Sequence, residues 1–245
     1  MNALASSSFK NLLDLEEYIA AVVNAVILIV ESPGSMCELG AFVKTEEIRE
    51  KLIVILPGEH KNTPSFITKG AIGYLRGHDP NAQILGFHWR TNESVIEASE
   101  YMIDSMLSEI PSAMQATHKA HSTEDFRADK IGHRIYLTLA FCHLLRAAKL
   151  SDLKACFAAA SIPIDETTLR HCIDTLTICH LVKAVEQGRL TYYVARVARM
   201  PFEIAFRPGT SDRDRDTMRW IVRIKDQIEK EDGVRLEMFR EHHDG

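Results

Sequence analysis

The chain lacks an apolar run of the length that spans a bilayer, about 20 residues; its longest, around Val22 to Val30, is interrupted by Asn24. No membrane partner is therefore expected. It also lacks a basic segment leading through an apolar stretch to a small-residue cleavage site, so no secretory signal is expected. The five cysteines (Cys37, Cys142, Cys156, Cys172 and Cys179) are odd in number and include no CxxC pair. That argues against a disulfide frame and for free buried thiols in a reducing, cytoplasmic setting. Three Cys–His neighbours occur: Cys142-His143, His171-Cys172 and Cys179-His180. Adjacent residues on a helix point about 100° apart and zinc sites use wider spacing, so core cysteines beside surface or cap histidines are expected, and no metal. No internal repeat or low-complexity segment is visible.

What is present is an ordinary globular composition, 46% hydrophobic and 26% charged over 245 residues, enough for one large domain or two small ones. The net charge of −5 hides an asymmetry. Residues 1–126 carry 9 basic and 17 acidic side chains, residues 127–200 carry 11 and 6, and residues 201–245 carry 9 and 11. The basic middle block suits a polyanion; the acidic front does not.

The chain is organised around Val26–Phe42, VILIVESPGSMCELGAF. A β-branched run meets Glu31, a turn follows at Ser32-Pro33-Gly34, and a helix opens from Ser35 toward Glu50. Ahead of it, Leu12, Leu15, Ile19 and Val22 recur at helical spacing over 11–24. Behind it, KLIVIL at 51–56 reads as a buried strand ended by Pro57-Gly58. A short helix is predicted over 65–75, a strand over 83–87, and a helix over 92–109 with Val95, Ile96, Ser99, Ile103 and Leu107 inward. The pattern implies a parallel sheet with packed helices. It offers few strands, so a further strand or a partner edge is expected to complete it.

Residues 111–128 read as a polar linker. Beyond it come a helix over 131–148, a helix capped by Ser151, and a third helix started by Asp165-x-x-Thr168. A hairpin follows at 181–194 with a Gly-bearing turn at 186–189. Three helices followed by a hairpin describe a winged helix, whose third helix can enter a DNA groove. On the hairpin, one of Tyr192 and Tyr193 should pack inward. The segment 212–232 is a charged amphipathic helix with Met218, Ile221, Ile224 and Ile228 on one stripe. The domains so expected are 1–110, α/β; 111–128, linker; 129–200, winged helix; and 201–245, a helical extension.

Two readings of Glu38 compete. Ser35-x-x-Glu38 before an apolar stretch fits a capping box, in which Glu38 bonds back to the cap. Against that, the strand-turn-helix layout puts Glu31 and Glu38 at the carboxyl edge of a parallel sheet, where α/β folds bind ligands, with backbone N–H groups at a helix N-terminus. Paired carboxylates there suit glycosidic chemistry.

Glu38-Leu39-Gly40-Ala41-Phe42 resembles the ELG run of nucleoside 2-deoxyribosyltransferases. VESPGSMCELGAF, followed by KLIVIL and SFITKGAIGYLR, is more similar still to the nucleoside-deoxyribosyltransferase-like effectors (toxins) of bacterial retrons, which carry a C-terminal winged helix. The resemblance implies a Rossmann-like α/β fold and an N-glycosidase cleaving NAD or a related nucleotide as substrate, with no cofactor. It implies Glu38 as nucleophile, with Glu31, Ser32, Gly34 and Ser35 lining the ribose and phosphate site. It implies nucleic-acid contacts from the block 127–200, among them Arg170, Lys183 and Arg189. The implied partners are the retron reverse transcriptase and its multicopy single-stranded DNA–RNA, which hold the toxin in check, and assembly into an oligomer or filament. The family carries a first strand and glycine-bearing loop ahead of the helix that opens this chain, so the α/β domain is expected to be N-terminally truncated. The alternative reading is a non-catalytic winged-helix DNA-binding regulator or docking protein with a degenerate α/β domain.

Overall fold

A computed structural model describes residues 4–5, 7–87, 100–120, 125–197, 209–231 and 235. The chain forms two compact units, residues 20–125 and residues 1–19 together with 126–245. Helix α1 (Leu12–Val22) is divided between them: it belongs to the second through Ile19 and to the first from Ala20. No helix among the described residues is long and apolar enough to cross a membrane.

The unit of residues 20–125 is built on a parallel sheet in the order β1 (Val26–Ile29), β2 (Leu52–Pro57), β3 (Gln83–Phe87). Every residue of β2 is buried, as suits a middle strand covered on both faces. The first crossover holds α2 (Pro33–Phe42) and α3 (Glu46–Arg49). The second holds α4 (Gly58–Asn62), a π-helical turn at Ile67–Ile72, and α5 (Gly73–His78). On one face of the sheet, Leu28, Val30, Leu52, Val54 and Leu56 pack with Leu39, Phe42, Ile48, Ile72 and Leu75. On the other, Ile55 and Phe87 pack with Met102 and Met106 of α6 (Glu100–Ala120).

Three expectations fail in this unit. The single helix expected from Ser35 to Glu50 begins at Pro33 and breaks after Phe42; Thr45 then takes the N-cap position of α3. The helix expected over 92–109 lies partly outside the described residues, Val95, Ile96 and Ser99 among them. In the described part its inward face is Met102, Met106, Ala113 and Thr117, while Leu107 is 66% exposed. The linker expected at 111–128 is helical as far as Ala120, straight through Pro111. Burial of Ala113 and Thr117 and the packing of Ile110 on the Met102–Met106 cluster outweigh the lost N–H of the proline. Thr117 Oγ1 also donates to the Ala113 carbonyl at 3.0 Å.

In the other unit, α7 (Ile131–Leu145) leads through Arg146, at a φ of 67°, into a two-residue strand β4 (Ala147–Ala148). Then come α8 (Leu150–Ala159), α9 (Glu166–Ile178) and the hairpin β5 (Val182–Gln187)–β6 (Leu190–Ala195). Strand β4 adds to the hairpin, giving the order β4-β6-β5, all antiparallel. The helix expected from Ser151 is capped earlier, at Lys149, whose N–H donates to Asp152 Oδ2 at 2.9 Å. The Asp165 cap is as expected: its carboxylate accepts from the Thr168 N–H at 2.9 Å. The hairpin turn is two residues, Gly188-Arg189, and Gly188 has the φ of 63° that such turns demand of glycine. Tyr192 is the tyrosine that packs inward, against Ala147, Val194 and Val185. Two further helices, α10 (Asp212–Arg215) and α11 (Thr217–Glu231), replace the single one expected over 212–232.

The cysteines are free, and Cys142 and Cys172 are buried. Burial pushes both thiols up to about 12, so neither is a nucleophile at neutral pH. His143, expected on the surface or at a cap, is buried beside Cys142 in the last turn of α7, where its carbonyl accepts from the C-cap Arg146 N–H.

Candidate functional site

The carboxyl edge of the three-stranded sheet is set by where the strands stop. Val30 is buried and Glu31 is exposed, so the chain leaves the core between them. Pro33 then starts α2 with a preset φ and no N–H to satisfy.

The cap differs from the expected one by three residues. Ser32, not Ser35, is the N-cap, and the box closes between Ser32 and Ser35. Ser35 N–H donates to Ser32 Oγ at 3.2 Å, and Ser35 Oγ accepts from the Glu31 and Ser32 N–H groups at 3.0 Å each. Ser35 is buried and its hydroxyl holds the turn closed. The physical reason is proline: Pro33 fits the first helical position and so pulls the cap back to Ser32.

Glu38 is thereby freed from capping. It is half-buried, and among the described residues it has no hydrogen bond or ion pair. Its direction follows from the helix. Ser35, Leu39 and Phe42 are the buried line of α2, and at about 100° per residue Glu38 falls beside that line and Gly40 well away from it. Beyond the end of α2, Lys44 Nζ lies 3.6 Å from the Tyr74 ring centroid on α5. The side of β1 away from β2 is the edge of the sheet.

That side is open among the described residues. Val26 and Val30 donate to the Lys51 and Ile55 carbonyls of the β2 side, at 2.8 Å each. Ile27 points its backbone the other way, where no described strand pairs, and its side chain is 41% exposed.

The turn itself is a poor phosphate cradle. Of the first three helical residues, Pro33 has no N–H and that of Ser35 is used by the cap, which leaves Gly34. The neighbouring strand adds two residues that the sequence reading missed. Helix α4 begins where β2 ends, so His60 and Lys61 lie at the same edge. The signal was a Pro57-Gly58 stop followed at once by polar residues. Lys61 lies so close over β3 that a Cβ on Gly86 would fall 2.9 Å from its Cδ, so glycine there makes room for the lysine stem.

The residues expected to meet nucleic acid are all in the other unit. Arg170, on the first turns of α9, is engaged by Glu166 through Nε at 3.0 Å and Nη2 at 2.8 Å. Glu166 also bonds Lys154. Lys154 first, and then Arg170, hold its carboxyl below the usual range. Lys183 and Arg189 are exposed on the hairpin.

The middle of the outward face of α9 is occupied. Leu169, Cys172, Ile173 and Leu176 are its buried line, which puts Thr167, His171, Asp174 and Ile178 diametrically outward. There the N-terminal segment is laid across it. The Ser8 N–H and Oγ both donate to Asp174 Oδ2 at 2.6 Å, and the Phe9 ring stacks on His171 at 4.2 Å with Tyr18 edge-on to both. Phe9 and Leu15 are buried in this unit, at about 1.5–3 kcal/mol each. This strap is a structural contact of several kcal/mol, not a loose tail.

A profile of the STM3845 retron effector proteins matches residues 1–187. The chain belongs to that family. Two Escherichia coli proteins, each named as a "putative ribosyltransferase/DNA-binding protein", are similar to this retron effector over shorter stretches. The one from retron Ec86 is 45% identical over 73 residues, 30% of this chain and 24% of that protein. The one from retron Ec73 is 39% identical over 62 residues, 25% of this chain and 20% of that protein. The chain thus matches about a quarter of the length of these relatives.

Proposed function

We propose that this retron effector is an N-glycosidase acting on NAD or a related nucleotide, with Glu38 as nucleophile. The observation that carries it is the release of Glu38 from the helix cap, which leaves a half-buried carboxylate with no partner among the described residues on the helix that follows β1. A Glu38 oxygen bonds to the anomeric carbon as the ribosyl–base bond breaks, through an oxocarbenium-like transition state. In NAD the base leaves as neutral nicotinamide, its cationic nitrogen keeping the bonding electron pair, so no acid is needed to protonate it. Water then cleaves the glycosyl ester, its hydroxide going to the sugar and its proton to solvent, and the carboxylate returns. Glu31, Ser32 and the Gly34 N–H line the sugar side. Ser35 is a positioning residue that acts through the turn. The unpaired side of β1 is where the first strand implied by the family resemblance would add.

The α7–α9 and hairpin unit is, in this reading, a winged helix that engages nucleic acid, with Arg170, Lys183 and Arg189 as candidate contacts. Through it the reverse transcriptase and its multicopy single-stranded DNA–RNA keep the toxin inactive in the cytoplasm. The relatives' names, which join ribosyl transfer to DNA binding, support the pairing of roles.

Incubating the purified chain with NAD and measuring free nicotinamide tests the chemistry. Release by the parent and none by Glu38→Ala is expected. No release by the parent, with nucleic-acid binding intact, would favour the alternative of a winged-helix regulator with a degenerate α/β domain.

A further inference from the structure

We propose that the unit formed by residues 1–19 and 126–245 grips a nucleic-acid duplex with the β5–β6 hairpin and not with α9; the proposal rests on the nucleic-acid reading above and decides which element carries it. A helix reads a groove with its outward face, and the middle of that face on α9, at His171 and Asp174, is covered. Asp174 is bound twice by Ser8, and His171 lies under the Phe9 ring. Reading with α9 would require that strap to be peeled off and its buried aromatic exposed.

Charge points the same way. From its cap to its end, 165–178, α9 carries three acids (Asp165, Glu166 and Asp174) against one base, Arg170, which Glu166 already engages. A phosphate backbone is repelled there. The hairpin, 182–196, reverses the balance: Lys183, Arg189 and Arg196 against Glu186 alone. All three bases are exposed, and the turn projects Arg189 beside Leu190, which is 50% exposed. A two-stranded ribbon fits the major groove of a duplex as a helix does. Basic residues at its tip and base would meet phosphates on the groove walls, with Leu190 against the bases.

Fluorescence anisotropy of the full chain with a labelled duplex of about 20 base pairs, over a salt series, tests this. Arg189→Ala/Arg196→Ala is expected to weaken binding about tenfold and to lower the salt slope by about two. Arg170→Ala and Phe9→Ala should each change affinity less than about twofold. Ser8→Ala, which removes one bond to Asp174 and no buried ring, carries the same expectation should Phe9→Ala not fold. A larger loss for Arg170→Ala than for the hairpin pair would overturn the proposal, as would a gain above about fivefold when the strap is weakened, which would reveal α9 as a masked reader. Parent-like binding by the hairpin pair sinks the hairpin assignment alone. Absence of binding by the parent and every variant sinks the nucleic-acid reading together with it.

Discussion

Helices α2 and α9 each carry a residue that the sequence marks for function, and their surroundings treat the two in opposite ways. On α2 the rival structural task of Glu38 is taken over by Ser32 and Ser35, and the carboxylate is left without a partner among the described residues. On α9 the marked base, Arg170, is engaged by Glu166, and His171 and Asp174 of the outward stripe are covered by the chain's own N-terminal segment. One helix leaves its marked carboxylate uncommitted among the described residues; the other has its marked base paired off.

The contrast can be broken in several ways. The largest expected effect is on chemistry. Glu38→Ala should lose at least about a thousandfold in base release, as removal of a nucleophile does, while its unfolding free energy stays within about 0.5 kcal/mol of the parent because no cap is lost. A clear fall in its urea midpoint would return Glu38 to the cap. Next comes Phe9→Ala, expected to destabilise its unit by about 3 kcal/mol in equilibrium unfolding, since the ring is buried between His171 and Tyr18. A cost near zero would make the strap a loose tail and reopen α9. Smaller is Ser32→Ala, at about 1 kcal/mol for a lost N-cap; Ser35→Ala should cost at least as much, because its buried hydroxyl also accepts from the Glu31 and Ser32 N–H groups. Smallest is Arg170→Ala, within about 0.5 kcal/mol for an exposed i,i+4 pair, read from the same unfolding curves.

Much of this was legible in the residues. KLIVIL could only be a strand buried on both faces, and Leu52–Pro57 is one. Asp165-x-x-Thr168 announced α9, and Gly188 announced the hairpin turn. Local chemistry of that kind leaves a local mark. Misread features had competing local signals or none. Two serines three apart, either able to cap, are decided by the proline between them. Pro111 argued for a break that packing of Ile110, Ala113 and Thr117 overrides. Ala147–Ala148 is too short to show a period, and its strand character exists only in the pairing with Tyr193 and Val194. The strap on α9 joins residues 166 positions apart, through Ser8 and Asp174, and no window along the chain could show it. The site divides in the same manner. Glu38 stood out as a candidate from its motif; its freedom from the cap came only with the fold.

The most direct test of the central claim is nicotinamide released from NAD by the purified full chain, compared with Glu38→Ala after both are shown to share one unfolding midpoint. Release by the parent that disappears in the variant is the predicted result. Equal release by the two would contradict Glu38 as the nucleophile.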